Sequence, residues 1–95
     1  MYKIILEKQV QKFFTKQKGQ PLISQFEDAL KILTVEPYKN KLDIKRITNL
    51  PHVYRLRIWE YRFLYEIIDK KIIITFFYAG SRWDIYKLLK NIKDK

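Results

Sequence analysis

The stretch VYRLRIWEYRFLYEIIDKKIIITFFYAGSRWDIY, residues 53–86, decides the fold. It reads as two consecutive β-hairpins followed by a capped helix. With Trp59-Glu60 as a tight turn, Ile58 falls opposite Tyr61, Arg57 opposite Arg62, and Leu56 opposite Phe63. Tyr54, Leu56, Ile58, Tyr61, Phe63, Tyr65 and Ile67 then share one face. Arg55, Arg57, Arg62 and Glu66 share the other. A slip of one residue would send the arginines into the core, so the pattern specifies the register strongly. Like charges facing each other across a ladder are destabilising. A sheet that gathers three arginines on one face is therefore expected to use their charge.

Working outward, the second hairpin pairs Tyr61–Ile68 with Ile72–Ala79 through a turn near Asp69-Lys70. That register sets Phe63 against Phe76 and Tyr65 against Ile74, and leaves Thr75 and Phe77 on the arginine face. Gly80 is read as the break at the end of the last strand. Ser81-Arg82-Trp83-Asp84 has the form of a helix capping box, and the helix it opens is expected to run to about Asn91. Arg82 and Tyr86, four residues apart, lie on one side of that helix.

On the N-terminal side, Tyr2–Leu6 is a short apolar run bounded by charge and reads as a first strand. Glu7–Lys18 carries Val10, Phe13 and Phe14 at helical spacing. Gly19-Gln20-Pro21 stops that helix and starts another. The second helix, Pro21–Val35, bears an apolar stripe of Leu22, Phe26, Ala29, Leu30 and Leu33, and Glu36-Pro37 ends it. The two helices are expected to cover the apolar face of the sheet. Residues 38–52 are polar and mixed and read as an irregular connection. Within it, Lys41, Lys45 and Arg46 are placed to extend a basic surface. The whole is one α+β domain spanning 1–95: an N-terminal strand, a two-helix hairpin, a three-stranded antiparallel meander and a C-terminal helix.

Composition narrows the function. Twenty Lys/Arg against ten Asp/Glu give a net charge of +10, which favours a polyanionic partner, nucleic acid first. There is no cysteine, which removes disulfides, thiolate chemistry and Cys-rich zinc sites and fits a reducing cytoplasm. The lone His52 rules out a multi-histidine metal site. No apolar run approaches the ~20 residues of a membrane span, and MYKIILEKQ does not read as a signal peptide. Neither a metal nor a small-molecule cofactor is expected.

Arg55, Arg57, Arg62, Arg82 and Tyr86 are the candidate site. Arginine stays protonated and grips phosphate oxygens with two parallel donors. It suits the extra negative charge of a pentacoordinate phosphate transition state. No carboxylate cluster is in the sequence to hold Mg²⁺ here. RNA, however, carries its own nucleophile in the 2′-hydroxyl, and a protein can align that group, neutralise charge and help the 5′-oxygen leave. Trp83, Phe77 and Tyr86 are candidate base-stacking residues. From the residues alone the chain is a basic α+β domain with an arginine-lined sheet face suited to RNA or another polyanion.

At YRLRIWEYRFLYEI and AGSRWDIY the chain resembles the RelE branch of the RelE/ParE toxin superfamily. The motifs are a Tyr-basic-x-basic strand, then Tyr-Arg-x-x-Tyr, then Gly-x-Arg followed by a tyrosine. The resemblance implies the same order of elements and the activity of a ribosome-dependent endoribonuclease. Such enzymes cut mRNA in the A site without a metal, and a cognate antitoxin wraps and neutralises them. By position, Arg55 and Arg57 match the paired basic residues and Arg62 the phosphate-binding arginine. Arg82 matches the arginine that assists the leaving group, and Tyr86 the tyrosine that orients or stacks at the cut. The resemblance thus implies Arg57, Arg62, Arg82 and Tyr86 as catalytic and Arg55 as RNA-binding, and the basic connection and the aromatics read above add Lys45, Arg46, Phe77 and Trp83 as residues expected to contact RNA. Trp59-Glu60 stands where many relatives have a Gly-acidic turn, and arginine stands where some have a lysine able to act as base. Two other readings share the fold or its charge. One is a ParE-like inhibitor of DNA gyrase that cuts nothing. The other is a non-enzymatic basic module that binds RNA or a protein.

Overall fold

The computed structural model describes residues 1–17 and 21–93. The Gly19-Gln20 break between the first two helices lies outside them. In chain order the elements are β1 (Lys3–Leu6), α1 (Lys8–Thr15), α2 (Pro21–Val35), β2 (Asp43–Arg46), β3 (Val53–Ile58) and β4 (Tyr61–Ile68). A single 3₁₀ turn at Asp69–Lys71 leads to β5 (Ile73–Ser81) and α3 (Arg82–Lys93). The five strands form one sheet in the order β1-β5-β4-β3-β2. β1 joins β5 in parallel, and every other pairing is antiparallel.

The first hairpin has the register the alternation demands: Ile58 pairs with Tyr61, Arg57 with Arg62 and Leu56 with Phe63. Its apolar face is closed by α1 and α2. Val10, Leu22, Phe26, Ala29 and Leu33 pack with Leu56, Phe63, Tyr65, Ile67, Ile74, Phe76 and Ala79 into one core. Phe26 is its aromatic hub, with its ring centroid 4.8 Å from Phe63 and 5.2 Å from Phe76. Each fully buried large side chain here contributes roughly 1.5–3 kcal/mol through burial.

The other face is shared. Helix α3 packs against β4 and β5. Leu64, which alternates with the core residues Phe63 and Tyr65, is fully buried, as is Ile85 of α3. The helix therefore covers the β4–β5 part of the arginine face and leaves the β2–β3 part open. No helix among the described residues is long and apolar enough to cross a membrane.

Four details differ from the sequence reading. The connection 38–52 is not wholly irregular, because Asp43–Arg46 adds a fourth antiparallel strand along β3. Its one apolar residue, Ile44, packs against the core, an alternation too short to mark a strand by itself, and the open edge of β3 supplies its hydrogen bonds. The β4–β5 register is also displaced. Tyr65 pairs with Phe76 rather than Ile74, and Phe63 with Ala79 rather than Phe76, with a bulge where Leu64 meets Tyr78. The cause is a longer connection: Ile72 is not in the strand but turns the chain at φ 55°. Gly80 does not break β5; it pairs with Arg62, and the strand continues to Ser81. The first helix ends at Thr15 rather than Lys18.

Beyond the end of short β1, the β5 edge has no strand neighbour. Gln9 of α1 takes that place: its amide donates to the Ala79 carbonyl (2.8 Å) and accepts from the Ala79 N–H (2.7 Å). One side chain thus satisfies both backbone groups that the sheet leaves open.

Candidate functional site

The register of three strand pairs builds a single row across the open face. Asp43 of β2 faces Arg57 of β3, Arg57 faces Arg62 of β4, and Arg62 faces Gly80 of β5. One row along, Lys45 faces Arg55 and Arg55 faces Leu64.

Arg62 is the buried member, 5% exposed. Its Nη1 donates to the carbonyls of Trp59 (3.1 Å) and Tyr61 (3.2 Å), while its Nε has no partner among the described residues. Arg57 Nε donates to the same Trp59 carbonyl at 3.0 Å. The hairpin turn thus fixes both guanidiniums through one backbone oxygen. Trp59 takes a positive φ of 57°, a conformation that costs a non-glycine residue about 1–2 kcal/mol. Burial, then the Arg57 and Arg55 charges, lower the pKa of Arg62 below the ordinary arginine value, and the adjacent Tyr86 phenol works against them. A buried guanidinium with an unpartnered donor, facing a second, half-exposed one across the ladder, forms a site that an anion would relieve.

Helix α3 begins at this turn. The Arg82 N–H donates to the Glu60 carbonyl at 3.0 Å. The serine half of the capping box forms: Ser81 Oγ accepts from the Asp84 N–H at 3.3 Å, while the Asp84 carboxylate accepts from the Ser81 hydroxyl (3.1 Å to Oδ2). Arg82 lays its guanidinium over Trp83, 4.7 Å from the ring centre, and Tyr86 meets the same indole edge-on at 6.1 Å. Both rings are open to solvent, Trp83 at 62% and Tyr86 at 54%. Gly80 sits beneath the helix start, where a Cβ would come within 3.3 Å of the Tyr78 ring and 3.4 Å of Asp84 Cβ.

The structure brings together Arg57, Arg62 and Tyr86 and sets Arg82 and Trp83 at the end of their row. Arg55 and Lys45 lie on the same face, one row away. Arg46 does not join them: it registers against Tyr54, whose ring stacks on Tyr65 on the core side. Phe77 falls at the bulge, unpaired and half-buried, and Tyr78 takes the place beside Leu64. Sequence reading missed Asp43. Its Oδ1 lies 2.8 Å from Arg55 Nη2, and its Oδ2 lies 3.5 Å from Arg57 Nη1. The acid-then-alternating pattern DIK was the available signal, masked by the polar run around it. No group of three metal-ligating side chains occurs among the described residues.

Neither a protein-family model nor a curated protein matches the chain by sequence. Solved structures do match by shape. The archaeal RelE–RelB complex from Pyrococcus horikoshii OT3 aligns with a TM-score of 0.74 and 25% identity, over 85% of this chain and 94% of that one. The RelB–RelE antitoxin–toxin complex from Methanococcus jannaschii aligns at 0.72 and 24%, over 88% and 96%. The isolated E. coli RelE toxin aligns at 0.70 and 20%, over 97% and 99%. With this agreement in fold over nearly the full length of each chain, the protein belongs to the RelE-like toxin superfamily.

Proposed function

We propose that the chain is the toxin of a type II toxin–antitoxin pair and a metal-independent endoribonuclease that cuts mRNA in the ribosomal A site. The observation that carries this reading is the row Arg57–Arg62–Gly80, with Arg82 tied to the same hairpin turn and Tyr86 beside Arg62. Arg57 and Arg62 grip the non-bridging oxygens of the scissile phosphate. Arg82 leaves its seat on Trp83 to stabilise the departing 5′-oxygen, and Tyr86 hydrogen-bonds there. Trp83 offers an exposed ring for a flanking base. Arg55 and Lys45 extend the contact along the RNA backbone, and half-buried Phe77 keeps a packing role. The RelE–RelB complexes among the structural neighbours support a cognate antitoxin. An acidic segment of that partner would cover the arginine face, because the charges that bind phosphate also attract carboxylates. The site of action is then the cytoplasm.

The test is brief expression of the wild type and of Arg82→Ala, with mRNA 5′ ends mapped by primer extension. In-frame cuts within translated codons, reduced about 10²-fold or more in the variant, are the expected result. Growth arrest with intact mRNA would transfer the assignment to gyrase inhibition. Neither arrest nor cleavage would leave a polyanion-binding module.

A further inference from the structure

The turn that holds the arginine row consists of Trp59 and Glu60. A two-residue hairpin loop takes a positive φ at its first position, which is why glycine or asparagine ordinarily stands there. Trp59 stands there at φ 57°. Its ring is not part of the core: Trp59 is 49% exposed, and among the described residues no aromatic ring or guanidinium lies on its indole. A strained backbone that presents a large apolar side chain to water points to a use for that side chain. Ile72 is strained in the same way, but it sits at the opposite end of β4 from the row.

The position of Trp59 shows the use. Its carbonyl accepts from Arg57 Nε at 3.0 Å and from Arg62 Nη1 at 3.1 Å, so the residue that bears the indole fixes both guanidiniums. The next carbonyl, that of Glu60, accepts the N–H that opens α3. A phosphate held by the two arginines therefore lies one residue from the indole, and in a nucleic acid every phosphate lies one sugar from a base. Single-stranded RNA leaves the faces of its bases free to stack on an aromatic plane. The other exposed tryptophan is already engaged: Trp83 has Arg82 over its ring at 4.7 Å and Tyr86 against it edge-on. Trp59 has no such companion.

Resting on the reading that the arginine row holds an RNA phosphate, we propose that Trp59 is a base-stacking residue. It clamps a nucleobase adjoining that phosphate and makes the site prefer a base-bearing single strand over other polyanions. The arginines supply charge, which any polyanion answers. The indole supplies a plane, which only unstacked bases use. Double-helical RNA, whose bases are stacked on one another, is disfavoured on the same ground.

The experiment measures binding of two strands to the wild type, Trp59→Leu and Trp59→Phe. One strand is a short single-stranded RNA, 2′-O-methylated so that it is not cut; the other is an abasic strand of the same length and charge. Leucine and phenylalanine are both apolar and sit under the same backbone strain, but only phenylalanine stacks. Trp59→Leu is expected to bind the RNA about 5- to 150-fold more weakly and the abasic strand as the wild type does. Its slope of affinity against salt should not change, because the same phosphates are neutralised. Trp59→Phe should recover part of the loss. In a Trp83→Phe background Trp59 is the one tryptophan left, and the RNA but not the abasic strand should quench its fluorescence. RNA affinity unchanged in Trp59→Leu would overturn the assignment and leave the indole to a protein partner. A phenylalanine variant as weak as the leucine one, equal losses for both strands, or a flatter salt slope would overturn it too, making Trp59 a support of the arginine row. Failure of the wild type to bind either strand would overturn the phosphate reading and the stacking proposal with it.

Discussion

Replacing Arg62 by methionine should stabilise the fold while destroying the proposed anion site. Arg62 and Arg57 are direct cross-strand partners. At an effective dielectric of about 20 and a charge separation of about 6 Å, their repulsion is about 3 kcal/mol. Arg57 is half exposed, so solvent and salt reduce this to about 1–2 kcal/mol. The buried Nε without a partner costs about 1–3 kcal/mol more. Against this stand the two hydrogen bonds to the Trp59 and Tyr61 carbonyls, together about 2–3 kcal/mol. The Trp59 carbonyl keeps its bond from Arg57 in the variant. Methionine fills a similar volume beside Leu64 without a charge. The net expectation is a gain of about 1 kcal/mol, or about 4–8 °C in Tm. Urea denaturation at low ionic strength reads it directly. At 1 M NaCl the gain should shrink, because the repulsion in the wild type is already screened. Inorganic phosphate should raise the Tm of the wild type and not of the variant. A loss of more than about 1 kcal/mol at low salt would refute the reasoning and make Arg62 a structural pin of the hairpin turn.

Other consequences follow from single features. Ile72, β-branched and at φ 55°, should tolerate glycine or asparagine with a gain of about 1 kcal/mol in denaturant midpoint; a loss would show that its half-exposed side chain packs more than its backbone strains. Gln9→Leu keeps the bulk but abandons both backbone groups of Ala79, and should cost about 2 kcal/mol and speed amide exchange at Ala79. Tyr65→Phe removes a fully buried hydroxyl that has no partner among the described residues, and should be neutral or stabilising by up to about 1 kcal/mol. Asp69 accepts from the Tyr2 and Tyr38 hydroxyls, which hold its pKa below the ordinary carboxylate value. A folded-state pKa that is depressed adds stability above the unfolded value and loses it as pH falls through the folded one. Asp69→Asn should therefore lower stability at neutral pH and flatten the acid limb of a stability–pH curve; an unchanged acid limb would deny the tyrosine pair its role.

Much of the site was legible in the sequence because the physics behind it is local. The β3–β4 register follows from alternation together with the two-residue turn at Trp59-Glu60: a slip of one residue puts Arg55, Arg57 and Arg62 into the apolar layer and Leu56 and Phe63 into water. The α2 bounds follow from Pro21 at its start and Glu36-Pro37 after its end, and the α3 cap from Ser81 and Asp84 within one turn. What tertiary structure decided is non-local. β2 carries a single apolar residue, Ile44, too little to mark a strand, and exists because the β3 edge offers partners; that pairing alone brings Asp43 to Arg55 and Arg57. The β4–β5 register depends on the left-handed Ile72 and on the bulge at Phe77, both allowed by the surroundings rather than favoured by the residues. The parallel β1–β5 contact joins segments about 70 residues apart, and no local preference encodes such a pairing. Side-chain alternation determined which residues share the arginine face; only the pairing of distant strands determined which of them stand next to one another.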